Sequence, residues 1–109
     1  MRPDTFRDFV LDQLSALDGL DCRAMFGGHG LYRGYAFFGI LFRGVLYLKV
    51  DDASRPVFER LGMGPFRPSK KQTLKSFYEV PPDVLENRST LTDWARRAVR
   101  AAEAGRTTN

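Results

Sequence analysis

Apolar residues first recur at helical spacing. Phe6, Phe9, Val10, Leu14 and Leu17 fall at i, i+3, i+4, i+8 and i+11, which predicts an amphipathic helix from about Asp4 to Leu17. Thr5 and Asp8 have capping-box spacing at its start, and Gly19 follows its end. The pattern then changes to strand. Cys22 to Phe26 is a short stretch, and after Gly27-Gly28-His29-Gly30 the strand resumes at Leu31-Tyr32-Arg33. The three glycines suit positive φ in a tight turn. Tyr35 to Phe42 and Val45 to Val50, joined at Arg43-Gly44, are aromatic and branched, with apolar residues on both faces. Such strands are expected at the centre of a sheet, with helices over one face and further apolar cover on the other.

Asp51-Asp52 can cap a second helix if Pro56 lies in its first turn, with Val57, Phe58 and Leu61 facing inward and Gly62 ending it. Pro65-Phe66-Arg67-Pro68 is a short extended piece, and its two prolines place it at a sheet edge. Residues 69–72 form a polar hairpin loop, and Thr73 to Val80 is the next strand. In it Leu74, Ser76, Tyr78 and Val80 alternate with Lys75, Phe77 and Glu79. Pro81-Pro82 stops that strand, and Asp83 to Glu86 suits one helical turn. Thr90 and Asp93 repeat the capping-box spacing before the stripe Leu91, Trp94, Ala95, Ala98, Val99 and Ala102, with Arg96, Arg97 and Arg100 opposite. The order α-β(3)-α-β(2)-α, with short turns between strands, predicts a two-layer α+β sandwich on an antiparallel five-stranded sheet.

A length of 109 residues suits one domain, expected over residues 1–104 with a disordered tail at 105–109. With 43% hydrophobic residues the chain can bury a core without disulfides or a metal. One cysteine excludes an internal bridge, the N-terminus has no signal-peptide pattern, and no apolar run is long enough to span a membrane. A cytoplasmic protein is the expectation, with no membrane partner.

The net charge of +4 is unevenly placed. Residues 1–21 hold two arginines against five aspartates, whereas residues 55–75 hold Arg55, Arg60, Arg67, Lys70, Lys71 and Lys75 against Glu59 alone. Such asymmetry suits an acidic partner or nucleic acid, although a solvated surface accounts for it as well. Arg67, Lys70, Lys71 and Lys75 on one hairpin, with Arg96, Arg97 and Arg100 on the last helix, are the candidate partner- or nucleic-acid-binding residues. Base stacking between them would fall to Phe66 and Phe77.

Catalytic chemistry finds little support. The glycine-rich turn lacks the spacing of a dinucleotide fingerprint and the lysine of a phosphate loop, and it leads into a strand. His29 is the only histidine and Cys22 the only cysteine, too few for a zinc site. A Cys22–His29 nucleophilic pair has no third group to orient its base, and Cys22 reads better as a small core residue. Asp51-Asp52 reads as a cap, and Trp94 and Tyr78 as core. No enzyme, cofactor or metal is expected.

The string Met25-Phe26-Gly27-Gly28-His29-Gly30-Leu31-Tyr32, followed by Leu46-Tyr47-Leu48-Lys49-Val50-Asp51, resembles the N-terminal domain of the TfoX/Sxy family. Pro65-Phe66 after a glycine, Phe77-Tyr78 with Val80-Pro81, and Trp94-Ala95-Arg96-Arg97-Ala98 extend the resemblance from about Ala16 to Ala102. Its motif positions here are Phe26, Gly27, Gly28, Gly30, Tyr32, Tyr47, Lys49 and Trp94. The resemblance implies a fold similar to the type III secretion chaperone class. It also implies a role like that of bacterial regulators of competence for DNA uptake, transcriptional coactivators beside the cyclic-AMP receptor protein. The founding members continue into a second domain where this sequence stops, and the family supplies no catalytic residues to carry over. A non-enzymatic module that binds a protein partner of the transcription machinery is therefore expected. Direct nucleic-acid binding is the alternative, and a homodimer is compatible with either.

Overall fold

A computed structural model of the chain describes residues 3–107 apart from Phe26. Its elements are α1 (Pro3–Gln13), β1 (Leu20–Met25), β2 (Gly28–Arg33), β3 (Ala36–Phe42), β4 (Val45–Lys49), α2 (Arg55–Arg60), β5 (Pro65–Ser69), β6 (Gln72–Glu79), α3 (Pro82–Leu85) and α4 (Arg88–Thr107). The strands form one antiparallel sheet in the order β1-β2-β3-β4-β6-β5. The α+β sandwich is as expected, but the sheet has six strands rather than five. The difference lies at the glycines. Met25 pairs with Gly28, so the chain turns within two residues and Gly28 to Gly30 already belong to β2. What reads as one interrupted strand is a hairpin.

Turn chemistry accounts for the next two connections. Gly34 has φ +60 between Arg33 and Ala36, which pair. Arg43 and Gly44 have φ 51 and 75 between the paired Phe42 and Val45. Positive φ at the first central residue, as at Gly34, or at both, as at Arg43 and Gly44, matches the right-handed twist of flanking strands, which is why two-residue hairpins favour it.

All four helices place buried residues in one core on a single face of the sheet. Phe6 and Val10 of α1 with Leu14 just beyond it, Phe58 of α2, Val84 of α3, and Leu91, Ala95, Ala98 and Val99 of α4 meet Leu31, Phe38, Leu41, Leu46, Leu48 and Tyr78. Each fully buried aliphatic side chain contributes about 1.5–3 kcal/mol relative to exposure. The stripe of α4 is therefore confirmed, with Trp94 half-buried and edge-on to Phe58 at 4.9 Å between centroids. The Tyr78 hydroxyl donates to Glu59 Oε2 at 2.9 Å, giving the buried phenol a partner.

Several local expectations are corrected. Helix α1 starts at Pro3 and ends at Gln13, so Thr5 is inside it and cannot cap it; Leu14 to Leu17 continue as turns that stay packed on the core. Helix α4 starts at Arg88, and its cap is Asn87, whose Oδ1 accepts the Thr90 N–H at 3.0 Å. Thr90 is thus the third helical residue. Asp51 caps the turn that feeds α2 rather than the helix itself, whose N-cap is Ser54 with no side-chain hydrogen bond: Asp51 Oδ1 accepts the N–H groups of Ala53 and Ser54 while Ser54 Oγ accepts the Asp51 N–H, a reciprocal lock on that turn. Leu61 is 52% exposed rather than buried, because α2 ends at Arg60. Register shifts between β5 and β6 break the alternation of β6, so Leu74 packs with Phe77 instead of Tyr78. Helix α4 runs to Thr107 and takes in residues 105–107 of the expected tail; Thr108 and Asn109 lie outside the described residues.

Candidate functional site

The other face of the sheet carries its own apolar cluster. Ile40, Phe66 and Phe77 are buried at its centre, ringed by Phe37, Phe42, Tyr47 and Leu74, which are only partly covered. The rings lock onto one another. Tyr32 stacks on Phe37 at 4.9 Å, Phe37 meets Phe77 at 5.0 Å, and Phe66 takes Phe42 edge-on at 5.4 Å and Tyr47 at 4.8 Å. Such contacts add about 0.5–1.5 kcal/mol each beyond area burial. Three cations lie over these rings: Arg23 over Tyr32 at 4.5 Å, Arg43 over Phe42 at 4.9 Å and Lys49 over Phe77 at 5.2 Å. A recess of about 640 Å³ opens on this face, lined chiefly by Met25, Phe37, Ile40, Phe42, Phe66 and Leu74, with Arg43 and Gln72 as polar members.

The glycine motif builds this face. Cross-strand pairing sets Gly28 and Gly30 of β2 beside Ile40 and the ring of Phe42. A Cβ on Gly28 would overlap the Leu41 carbonyl oxygen, and one on Gly30 would lie 2.6 Å from Met25 Sδ and 3.1 Å from the Phe37 ring. Only Gly27 of the three has positive φ, +78. Close approach, not turn geometry, is what Gly28 and Gly30 supply. Phe26 lies outside the described residues.

The motif residues therefore converge: Gly28, Gly30, Tyr32, Tyr47 and Lys49 share the aromatic face. Burial and the negative charge of Glu79 push the Tyr47 phenol above its ordinary range, so it stays neutral. Trp94 sits in a cleft of about 240 Å³ between α2 and α4 formed with Val57, Phe58, Asp93, Arg97, Ala98 and Arg100, which Lys49 at the end of β4 also lines. This cleft brings together Arg97 and Arg100, whereas Arg96 reaches Asp93 at 3.5 Å.

The basic hairpin is a separate feature. Arg67, Lys70, Lys71 and Lys75 are all exposed on β5, β6 and their turn, at the sheet margin, while α4 packs over β3 and β4. The seven cations picked out in the sequence thus fall on two surfaces rather than one. Phe66 and Phe77, the residues expected to offer stacking surfaces, are 6% and 4% exposed and consumed by the aromatic cluster. The sequence signal missed for this face was the set Tyr32, Phe37, Ile40, Phe42 and Tyr47, which the register shift at Leu31/Tyr32 brings to one side although Phe37 and Ile40 are three residues apart.

Among the described residues no group of three His, Cys, Asp or Glu could hold a metal ion. Cys22 pairs with Leu31 and His29 with Ala24, so the two are diagonal on the helix-covered side. Burial raises the Cys22 thiol above its ordinary value, with nearby Arg7 opposing the shift. That is the reverse of an activated thiolate.

An aromatic sheet face left open by a single helical layer makes the chain an open-faced α+β sandwich. Residues 12–102 match the TfoX N-terminal domain, and the chain belongs to that family. No curated protein matches the sequence.

Proposed function

We propose that this TfoX-like domain is a non-enzymatic regulatory module of the cytoplasm that binds a component of the transcription machinery through the open aromatic face. The observation that supports this reading is the cluster of half-covered rings, Tyr32, Phe37, Phe42 and Tyr47, which no helix among the described residues shields. Aromatic residues with a recess beside them provide the kind of anchor on which protein interfaces concentrate their energy. Arg23, Arg43 and Lys49 among the rings favour an acidic, apolar segment on the partner, although Asp21 and Glu79 temper the field. In the family's terms the partner is the cyclic-AMP receptor protein or the polymerase it recruits, and the output is transcription of competence genes.

The test is a titration of the purified chain against the cyclic-AMP receptor protein and RNA polymerase from the same cell. A Tyr47→Ser variant, checked for native circular dichroism, should weaken binding at least about tenfold, as expected on removing an aromatic anchor. Unchanged affinity in that variant overturns the assignment to this face. Binding of DNA by the wild-type chain with neither protein present favours the basic hairpin instead.

A further inference from the structure

The two margins of the sheet are built differently. On one side β5 carries Pro65 and Pro68, register shifts and the Lys70-Lys71 turn, devices that prevent another strand from adding. On the other side β1 pairs with β2 in unbroken register over all six residues and contains no proline. It ends the strand order, so among the described residues its outer edge presents a row of unpaired backbone donors and acceptors.

The side chains of β1 are self-complementary in one register only. An antiparallel strand added by a two-fold axis normal to the sheet must be centred on a residue, because opposed side chains share a face. Centring on Asp21 would oppose two aspartates, and centring on Arg23 would oppose two arginines; either is unfavourable. Centring on Cys22 opposes Asp21 with Arg23 of the second copy, twice. The same register sets Leu20 against Ala24 and Cys22 against its own copy, on the helix-covered side where Leu20 and Cys22 already pack against the core.

We infer that the chain forms a two-fold dimer in which β1 of two copies pair antiparallel about Cys22, joining two six-stranded sheets into one. Asp21 Oδ2 and Arg23 Nε already lie 2.9 Å apart within one chain, on exposed side chains. In the dimer the four groups alternate in sign, and each aspartate gains a second arginine. Such exposed pairs add little affinity, but they select the register over its like-charged neighbours. The joined sheet also places the two aromatic faces side by side on one surface of the dimer.

Sedimentation velocity at high micromolar concentration tests this directly. The wild-type chain should sediment as a dimer. Asp21→Arg and Arg23→Asp each replace two attractions by two repulsions and should weaken dimerisation about tenfold to a hundredfold, with native circular dichroism retained. The double variant Asp21→Arg/Arg23→Asp restores opposite charges and should recover the dimer, and an equimolar mixture of the two single variants should form a heterodimer. A monomeric wild-type chain overturns the proposal. So does a dimer that either single reversal leaves intact, since its interface then lies elsewhere.

Discussion

The two faces of this sheet are made by the same strands, yet they follow different chemistry. Leu46 and Leu48 of β4 point to the helix layer and are buried by it, while Tyr47 and Lys49, alternating with them, point the other way and are only half covered. The covered face is aliphatic and is sealed by residues distant in sequence. The open face is aromatic and seals itself, ring against ring, with cations over three of the rings. A sheet can thus be apolar on both sides without a second helical layer, provided one side uses rings that cover each other. That side keeps enough apolar surface to meet a partner.

Paired substitutions sharpen the contrast. Leu48→Ala on the covered face should cost about 2–5 kcal/mol, because it leaves a cavity that the helices cannot fill. Tyr47→Ala, its neighbour on the open face, should cost about 1–2 kcal/mol, and urea denaturation of both variants measures the difference. Equal costs would mean that the open face is as fully packed as the core. Trp94→Ala should fall between, at about 3 kcal/mol, since its ring is half-exposed but edge-on to Phe58.

The glycines extend the same comparison. Gly28→Ala should destabilise by about 1–3 kcal/mol, because its Cβ would meet rigid backbone at Leu41. Gly27→Ala, with open space around its Cβ but φ +78, should cost about 1 kcal/mol. A Gly28 variant as stable as wild type would show that β2 and β3 can separate locally.

Asp51→Ala should cost about 1 kcal/mol at neutral pH through the lost cap. The N–H groups of Ser54 and Ala53 hold the Asp51 carboxyl below its ordinary 3.8. A depressed carboxylate contributes stability that is present above its unfolded pKa and lost as pH falls through the lower folded one. The gap between wild type and variant should therefore close in acid below about pH 4, and a gap that persists there contradicts the ionised cap.

Periodicity made most of this architecture legible beforehand. The α4 stripe, the central position of β3 and β4, and the edge position of β5 follow from spacing, two-sided apolarity and proline. What escaped was chiefly non-local. The split of the first strand depends on Met25 meeting Gly28, and the extra strand follows from it. Leu74 changes face because β5 and β6 slip against each other, which residue order alone does not encode. The cap of α4, Asn87, lies three residues before Thr90 of the Thr-x-x-Asp pattern that suggested another, and Asp51, expected to cap α2, instead holds the turn that feeds it, with Ser54 as partner. For the site, residue order displays charge most plainly, yet the basic residues lie on two surfaces. The aromatic face needed cross-strand pairing to become visible, because its members come from several strands.

The basic hairpin is the rival surface, and salt separates the two. If Arg67, Lys70, Lys71 and Lys75 bound duplex phosphates, about four contacts would give a log–log salt slope near −3.6, which Lys70→Ala/Lys71→Ala would flatten by nearly 2. Weak DNA binding at physiological salt is expected instead, with stability in that double variant unchanged within about 0.5 kcal/mol.

The most direct measurement is calorimetric titration of the proposed partner, the cyclic-AMP receptor protein or RNA polymerase, into three forms of the chain: wild type, Tyr47→Ser and Lys70→Ala/Lys71→Ala. If the open aromatic face is the docking surface, Tyr47→Ser loses at least about tenfold in affinity while the hairpin variant binds as wild type does. Full affinity in Tyr47→Ser together with loss in the hairpin variant would contradict the account and assign the partner to the charged margin of the sheet.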